Sequence, residues 1–191
     1  MLRRILIPAV MTTVMAAGIV GGCAADQAAK TDFWPALSAQ ALEKDQPQSL
    51  DELIDKSDSV VRGVITGGVA GPGKEAGCGP DTPIAVLLVA VQETVEGSVP
   101  GNELQVIVAR DPLVSIEELA AQVPTDPIVL FIEPAGVDDY WVTSSQLGIV
   151  AQTDGGQLET VLVPELSEAA IAPDVDGISD FVEEVEAAEA G

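Results

Sequence analysis

Hydrophobic positions along this chain change their spacing several times. Residues 5–22 form one apolar run without a charged side chain, preceded by Arg3 and Arg4. From about 24 to 48 there is little periodicity; Pro35 and Pro47 interrupt the chain and polar residues close it. Leu50, Leu53 and Ile54 then make one apolar edge of a short helix, opened by a capping box at Ser49 and Glu52 and ended at Ser57-Asp58. Val60, Val61, Val64 and Ile65 predict a strand, because β-branched side chains suit the extended backbone.

Further strands follow in short intervals. Residues 83–95 hold a central run that is apolar on both faces. Over 103–109, Leu104, Val106 and Val108 alternate against Glu103, Gln105 and the apolar Ile107. A second capping box, Ser115 with Glu118, predicts a helix to about Gln122. Residues 127–133 and 140–144 read as the next strands. Residues 147–153 and 157–163 flank Asp154-Gly155-Gly156, a hairpin signal, since glycine adopts positive φ freely. After Pro164 the chain turns acidic and Ala-rich. Ile178, Phe181, Val182 and Val185 fall at i, i+3, i+4, i+7, one face of a helix capped by Asp176 or Ser179. The expected fold class is mainly β with short helices: a small antiparallel barrel or sandwich, with a C-terminal helix. Docking of that helix on the barrel is expected, with a mobile acidic tail as the alternative.

The N-terminal run has the parts of an export signal: a basic start, an apolar core and small residues at its end. It is also about long enough to span a bilayer, which takes roughly 17–25 residues. Pro8, Gly18, Gly21 and Gly22 weaken it as a helix. Val20-Gly21-Gly22-Cys23 resembles the lipobox of bacterial lipoproteins. That resemblance implies diacylglyceryl transfer to the Cys23 thiol and cleavage just before it, with Val20 at the aliphatic position and Gly21 and Gly22 at the small ones. Two acyl chains hold a soluble domain stably on a membrane. Plain secretion and an uncleaved anchor are the other outcomes open to such a leader. The implied organisation is a signal peptide over 1–22, a flexible tether over 23–48, a β domain over 49–164 and an acidic segment with a helix over 165–191. The place implied is the extracytoplasmic face of the cell membrane.

Charge narrows the function classes. Beyond the leader there are six basic and 31 acidic residues, a net charge of −25, and histidine is absent. Such a surface repels nucleic acid and anionic headgroups, whose binding depends on Lys and Arg. Without histidine there is no imidazole base, no Ser-His or Cys-His dyad and no His metal ligand. A carboxylate pair could serve a glycosidase, but the six aromatic residues beyond the leader make a poor sugar platform. Lys56 or Lys74 could pair with a serine such as Ser57, yet no motif marks a dyad. The expectation is that the chain is not an enzyme and takes no cofactor.

Two motifs resemble ligand loops and depart from them. Gly68 to Lys74 fits G-x-x-x-x-G-K, but Glu75 stands where a phosphate loop has Ser or Thr, and Pro72 removes a backbone donor. Asp174, Asp176, Gly177, Asp180 and Glu183 fit the later positions of a calcium loop, but Ala172 stands at its first. No metal site is expected. Cys78, in the Gly/Pro-rich stretch 67–82, is left without a partner if Cys23 is lipidated. An incidental thiol, a redox role and a bridge to an unlipidated Cys23 are its three readings. The stretch is expected to be a mobile, exposed loop.

The residues 49–164 also look like a group of uncharacterised Gram-positive lipoproteins with an OB-like barrel. The likeness rests on SLDELIDKSDSVVRGVITG, AVLLVAVQETVEGSVPGNELQVIVA and PIVLFIEPAG with DYWVTSSQLGIVAQTDGGQLETV. The OB-like shape is similar to netrin and metalloproteinase-inhibitor domains, which rely on disulfides this chain lacks. The expected role is an interaction module for an unidentified envelope or extracellular protein, with Phe33, Trp34, Tyr140, Trp141 and Cys78 as candidate contact residues. For Phe33 and Trp34, packing on the domain competes with contact at the membrane interface. For Tyr140 and Trp141, strand packing with one ring inward competes with a contact role. A small-ligand or cation-binding lipoprotein is the alternative.

Overall fold

The computed structural model describes residues 33–37, 46–70, 83–136, 140–145, 147–152, 156–162 and 175–189. All belong to one compact unit, Thr31–Gly191; Met1–Lys30 counts apart and lies outside the described residues. Among the described residues, seven strands and three helices follow in order: α1 (Leu50–Asp55), β1 (Ser59–Ala70), β2 (Ile84–Gly97), β3 (Glu103–Ala109), α2 (Ile116–Ala120), β4 (Ile128–Pro134), β5 (Tyr140–Thr143), β6 (Ile149–Gln152), β7 (Leu158–Thr160) and α3 (Ile178–Glu189). A 3-10 turn at Pro35–Leu37 precedes them.

The first five strands close on themselves. β1 pairs with β2, β2 with β3, β3 with β5, β5 with β4, and β4 returns to β1. Every contact is antiparallel except β3 with β5. This is an OB-like barrel, with α2 in the connection between β3 and β4. Bulges in the β1–β2 ladder help closure, with Val95 and Gln92 the extra residues on β2 and Thr66 the extra residue on β1. The register of β1 against β2 shifts accordingly at Val60/Val61, Arg62/Gly63 and Ile65/Gly67. Each bulge adds local bend and twist. At Gly63 a β-carbon would stand 2.8 Å from both the Ala90 carbonyl oxygen and Val89 Cγ1, so only glycine permits the approach.

Two apolar layers hold the barrel. Inside lie Val61, Ile65, Leu87, Val106, Leu130 and Trp141 among others. Outside β4 lie Val129 and Phe131, covered by Leu53 and Ile54 of α1 and by Ile178, Phe181, Val182 and Val185 of α3. Ile128 to Ile132 of β4 are therefore buried on both faces, which explains their unbroken apolar run. The Phe131 and Phe181 rings meet edge to face with centroids 6.2 Å apart. The C-terminal helix is docked, as its spacing predicts. Its first turn differs from expectation: Phe181 N–H donates to the Gly177 carbonyl, which puts Gly177 at the cap position instead of Asp176 or Ser179.

β5 and β6 form one interrupted strand along the same edge of β4. Thr143 faces Ile132 and Ile149 faces Leu130, so Ser144, Ser145, Leu147 and Gly148 stand opposite Phe131 alone. Both bonds of Phe131 are kept: its N–H donates to the Gly148 carbonyl and its carbonyl accepts from Ser144 N–H, each at 2.9 Å. The excursion delivers Leu147, fully buried, into the outer layer.

Two expected boundaries move. Gly67–Ala70, read as the start of a loop, continue β1, and residues 71–82 lie outside the described residues. The packed part of the chain starts earlier than residue 49. Phe33, Ala36 and Leu37 are buried in the barrel core, and Ala36 O accepts from Asp111 N–H at 2.8 Å. Apolar side chains and a proline-started turn suit that plug better than a solvated tether.

Candidate functional site

Along a barrel strand, alternate side chains point in and out. On β2, Ala85, Leu87 and Val89 fill the interior, which leaves Ile84, Val86 and Leu88 on the outer wall. On β3, Val106 and Val108 point in and Ile107 points out. On β5, Trp141 points in and Val142 out. The outer wall of β2, β3 and β5 thus carries a contiguous apolar cluster of Ile84, Val86 and Ile107, with Leu88, Ala135 and Val142 packed against it. The pairing register explains the contiguity, since Val86 faces Ile107 across one ladder and Ile107 faces Val142 across the next. Among the described residues, the apolar partners of this trio all come from these strands and the turn after β4. An outer barrel wall more often alternates to polar side chains. Farther along the same hairpin the strand turns polar, with Gln92, Glu93 and Thr94 exposed.

Ile84, Val86 and Ile107 are themselves buried, at 6%, 1% and 4%, so the apolar area open at this wall is that of the half-buried Leu88, Ala135 and Val142 packed on them. Its neighbours supply little charge: Arg62 and Glu93 stand 3.9 Å apart across β1 and β2, both partly exposed, a weak pair. A shallow, open depression lies beyond, lined by Ala90, Val91, Pro100, Gly101, Asn102 and Glu103.

The predicted contact residues are not gathered at this wall. Phe33 is buried in the barrel core, with Trp34 half-buried against it, ring centroids 4.9 Å apart at 81°. Trp141 is also inside the core, so its ring is the inward one; the Tyr140 backbone pairs with Gln105 in β3. Cys78, Cys23 and the Val20-Gly21-Gly22 residues lie outside the described residues. The signal for the Ile84–Val86–Ile107 cluster was present in the sequence: a strand apolar on both faces, next to one whose alternation breaks at Ile107.

Ser57 and Ser144 hydroxyls approach to 2.7 Å, and each also reaches a carbonyl, Leu53 O and Phe131 O respectively. Two protons serve three contacts, so one hydroxyl donates to the other and the second donates to its carbonyl. The pair ties the end of α1 to the β5–β6 excursion. Asp180 and Glu183 of the calcium-loop pattern are exposed on α3. Among the described residues no group of three metal-ligating side chains occurs, and no helix is long and apolar enough to cross a membrane.

The fold defines the chain as an OB-like barrel with an outer helical layer. Comparison with models of protein families, with curated proteins and with solved structures finds no match.

Proposed function

We propose that this chain is a lipid-anchored extracytoplasmic interaction module, not an enzyme, that holds a protein partner on the outer wall of β2, β3 and β5. The observation that carries the binding half is the Ile84–Val86–Ile107 cluster. The half-buried Leu88, Ala135 and Val142, seated on that buried trio, are the apolar side chains a protein partner would desolvate at the centre of an interface. The filled interior favours this wall over an internal ligand cavity, because Leu87, Val106, Leu130 and Trp141 pack there. The resemblance of Val20-Gly21-Gly22-Cys23 to a lipobox carries the location. The acidic surface of the mature chain favours a partner other than nucleic acid.

The location is tested by Cys23→Ser, which should release the protein or leave it as an uncut precursor. Membrane-bound protein at the mature mass would defeat the lipoprotein reading. The binding wall is tested by photo-crosslinkers at Leu88 and at Glu93 in intact cells. Leu88 should capture a partner that Glu93 does not; equal capture, or none, would remove the wall from consideration.

A further inference from the structure

Among the described residues the large apolar side chain that stands exposed is Leu113, at 89%. A lone exposed leucine is ordinary on a protein surface. This one differs in how it is held and where it sits. The turn that presents it is braced from several sides. Asp111 Oδ1 accepts from Leu113 N–H at 2.8 Å, and Asp111 O accepts from Val114 N–H at 3.1 Å. Arg110 Nη1 donates to the Val114 carbonyl and to Asp111 O. Val114 is anchored in the barrel core. Pro112 beside it is exposed and adds rigidity. Leu113 is thus pushed outward by a fixed turn.

The same turn is bonded to the plug. Asp111 N–H donates to Ala36 O, three residues after Phe33, the first described residue. Only residues 24–32, nine positions, separate Phe33 from Cys23. Even fully extended, ten Cα steps reach only about 35 Å. With 33–37 packed, the tether is far shorter than a span to residue 48 would allow. It also starts at the end of the barrel that carries Leu113.

We propose that the Pro112–Leu113 turn is a lipid-contacting tip, which rests the barrel against the bilayer that holds its anchor. This rests on the lipoprotein reading of Cys23. One leucine binds a membrane too weakly to recruit a free protein. A short tether supplies a high effective concentration, so the same weak contact orients a protein already anchored there. Exposed Glu117 and Glu118 follow closely in α2, so a neutral surface suits the tip better than an anionic one. The opposite end of β3 is the internal control: Asn102 is exposed there, about 20 Å away along the seven-residue strand.

The test uses the full-length lipoprotein purified from membranes and placed in phosphatidylcholine vesicles containing brominated acyl chains. Leu113→Trp and Asn102→Trp are compared with the parent, whose Trp34 and Trp141 give the background. Mass analysis of Cys23 is done on the same samples. With Cys23 lipidated, the emission added by Leu113→Trp should be mostly quenched and the emission added by Asn102→Trp retained. Lipidated protein in which neither is quenched, or both are quenched equally, overturns the tip and leaves the anchor standing. Protein without lipid on Cys23 overturns both.

Discussion

The β-carbon that Gly148 lacks would stand 2.9 Å from the carbonyl oxygen of Phe131, the residue whose N–H donates to the Gly148 carbonyl. Thr143 Cβ and Ser145 O crowd the same point at 2.8 and 2.9 Å. Gly148→Ala should therefore cost about 1–3 kcal/mol, the range for overpacking a core. Gly67→Ala is the contrast: its nearest neighbour is Leu88 Cδ1 at 3.7 Å, an ordinary contact. That change should be neutral or stabilising by up to about 1 kcal/mol. Urea unfolding of both variants checks the pair; equal midpoints would mean the excursion adapts.

Ser59 is buried and serves the β2–β3 turn as both donor and acceptor. Its hydroxyl lies 2.7 Å from Asp58 O and 3.0 Å from Ser98 O, and it accepts from Ser98 N–H at 3.2 Å. Ser59→Ala leaves the Ser98 groups without that partner and should cost about 1–3 kcal/mol. Amide exchange at Ser98 should accelerate in the variant; unchanged exchange and stability would argue against this role.

Leu37 has no exposed surface. Leu37→Ala should destabilise the whole barrel by about 2–5 kcal/mol. The decisive measurement is thermal unfolding followed by tryptophan fluorescence, since Trp141 belongs to the same core and Trp34 packs against it. A variant with the parental transition would return residues 33–37 to a tether.

Glu118 closes the reciprocal cap of α2. Its carboxylate accepts from Ser115 N–H at 2.9 Å and from the Ser115 hydroxyl at 2.8 Å. The backbone bond first, then the hydroxyl bond, holds its pKa below the usual 4.5. A depressed folded pKa contributes stability above the unfolded pKa, and loses it as pH falls through the folded one. Glu118→Gln should thus be less stable than the parent at pH 7, with the gap narrowing as pH drops below about 4.5. Parallel pH curves for the two proteins would exclude the linkage.

Local signals carried far in this chain. Ser49 caps α1 and Ser115 caps α2, as S-x-x-E predicts, because capping is decided within one turn. Even there a detail escaped: Glu52 accepts from Gln48 N–H instead of Ser49 N–H. The Ile178, Phe181, Val182 and Val185 face found its place against Phe131. What was not legible is set by distant partners. No local pattern says that Thr143 and Ile149 share one edge of β4, or that Val106 lies parallel to Trp141. The plug was legible only in part: packing of Phe33 and Trp34 on the domain was one of their two readings, whereas Ala36 and Leu37 are read as core only once the barrel they enter exists. Leu113 is legible in neither way, as its exposure depends on the Asp111 and Arg110 bonds that hold its turn.

The pairing of Ser59–Gly63 with Ile128–Ile132 has a kinetic side. β1 is the first barrel strand in the sequence, yet one of its edges waits for β4, with β2, β3 and α2 in between. Contacts so distant in sequence give a high contact order, and the loop entropy is spent before they form. Folding should be slow for the chain's size, with a single exponential phase in which β1 and β4 become protected together. Until then the first half of β1 has an open edge, able to pair with another chain. A crowded population of unfinished molecules would be most vulnerable to aggregation there.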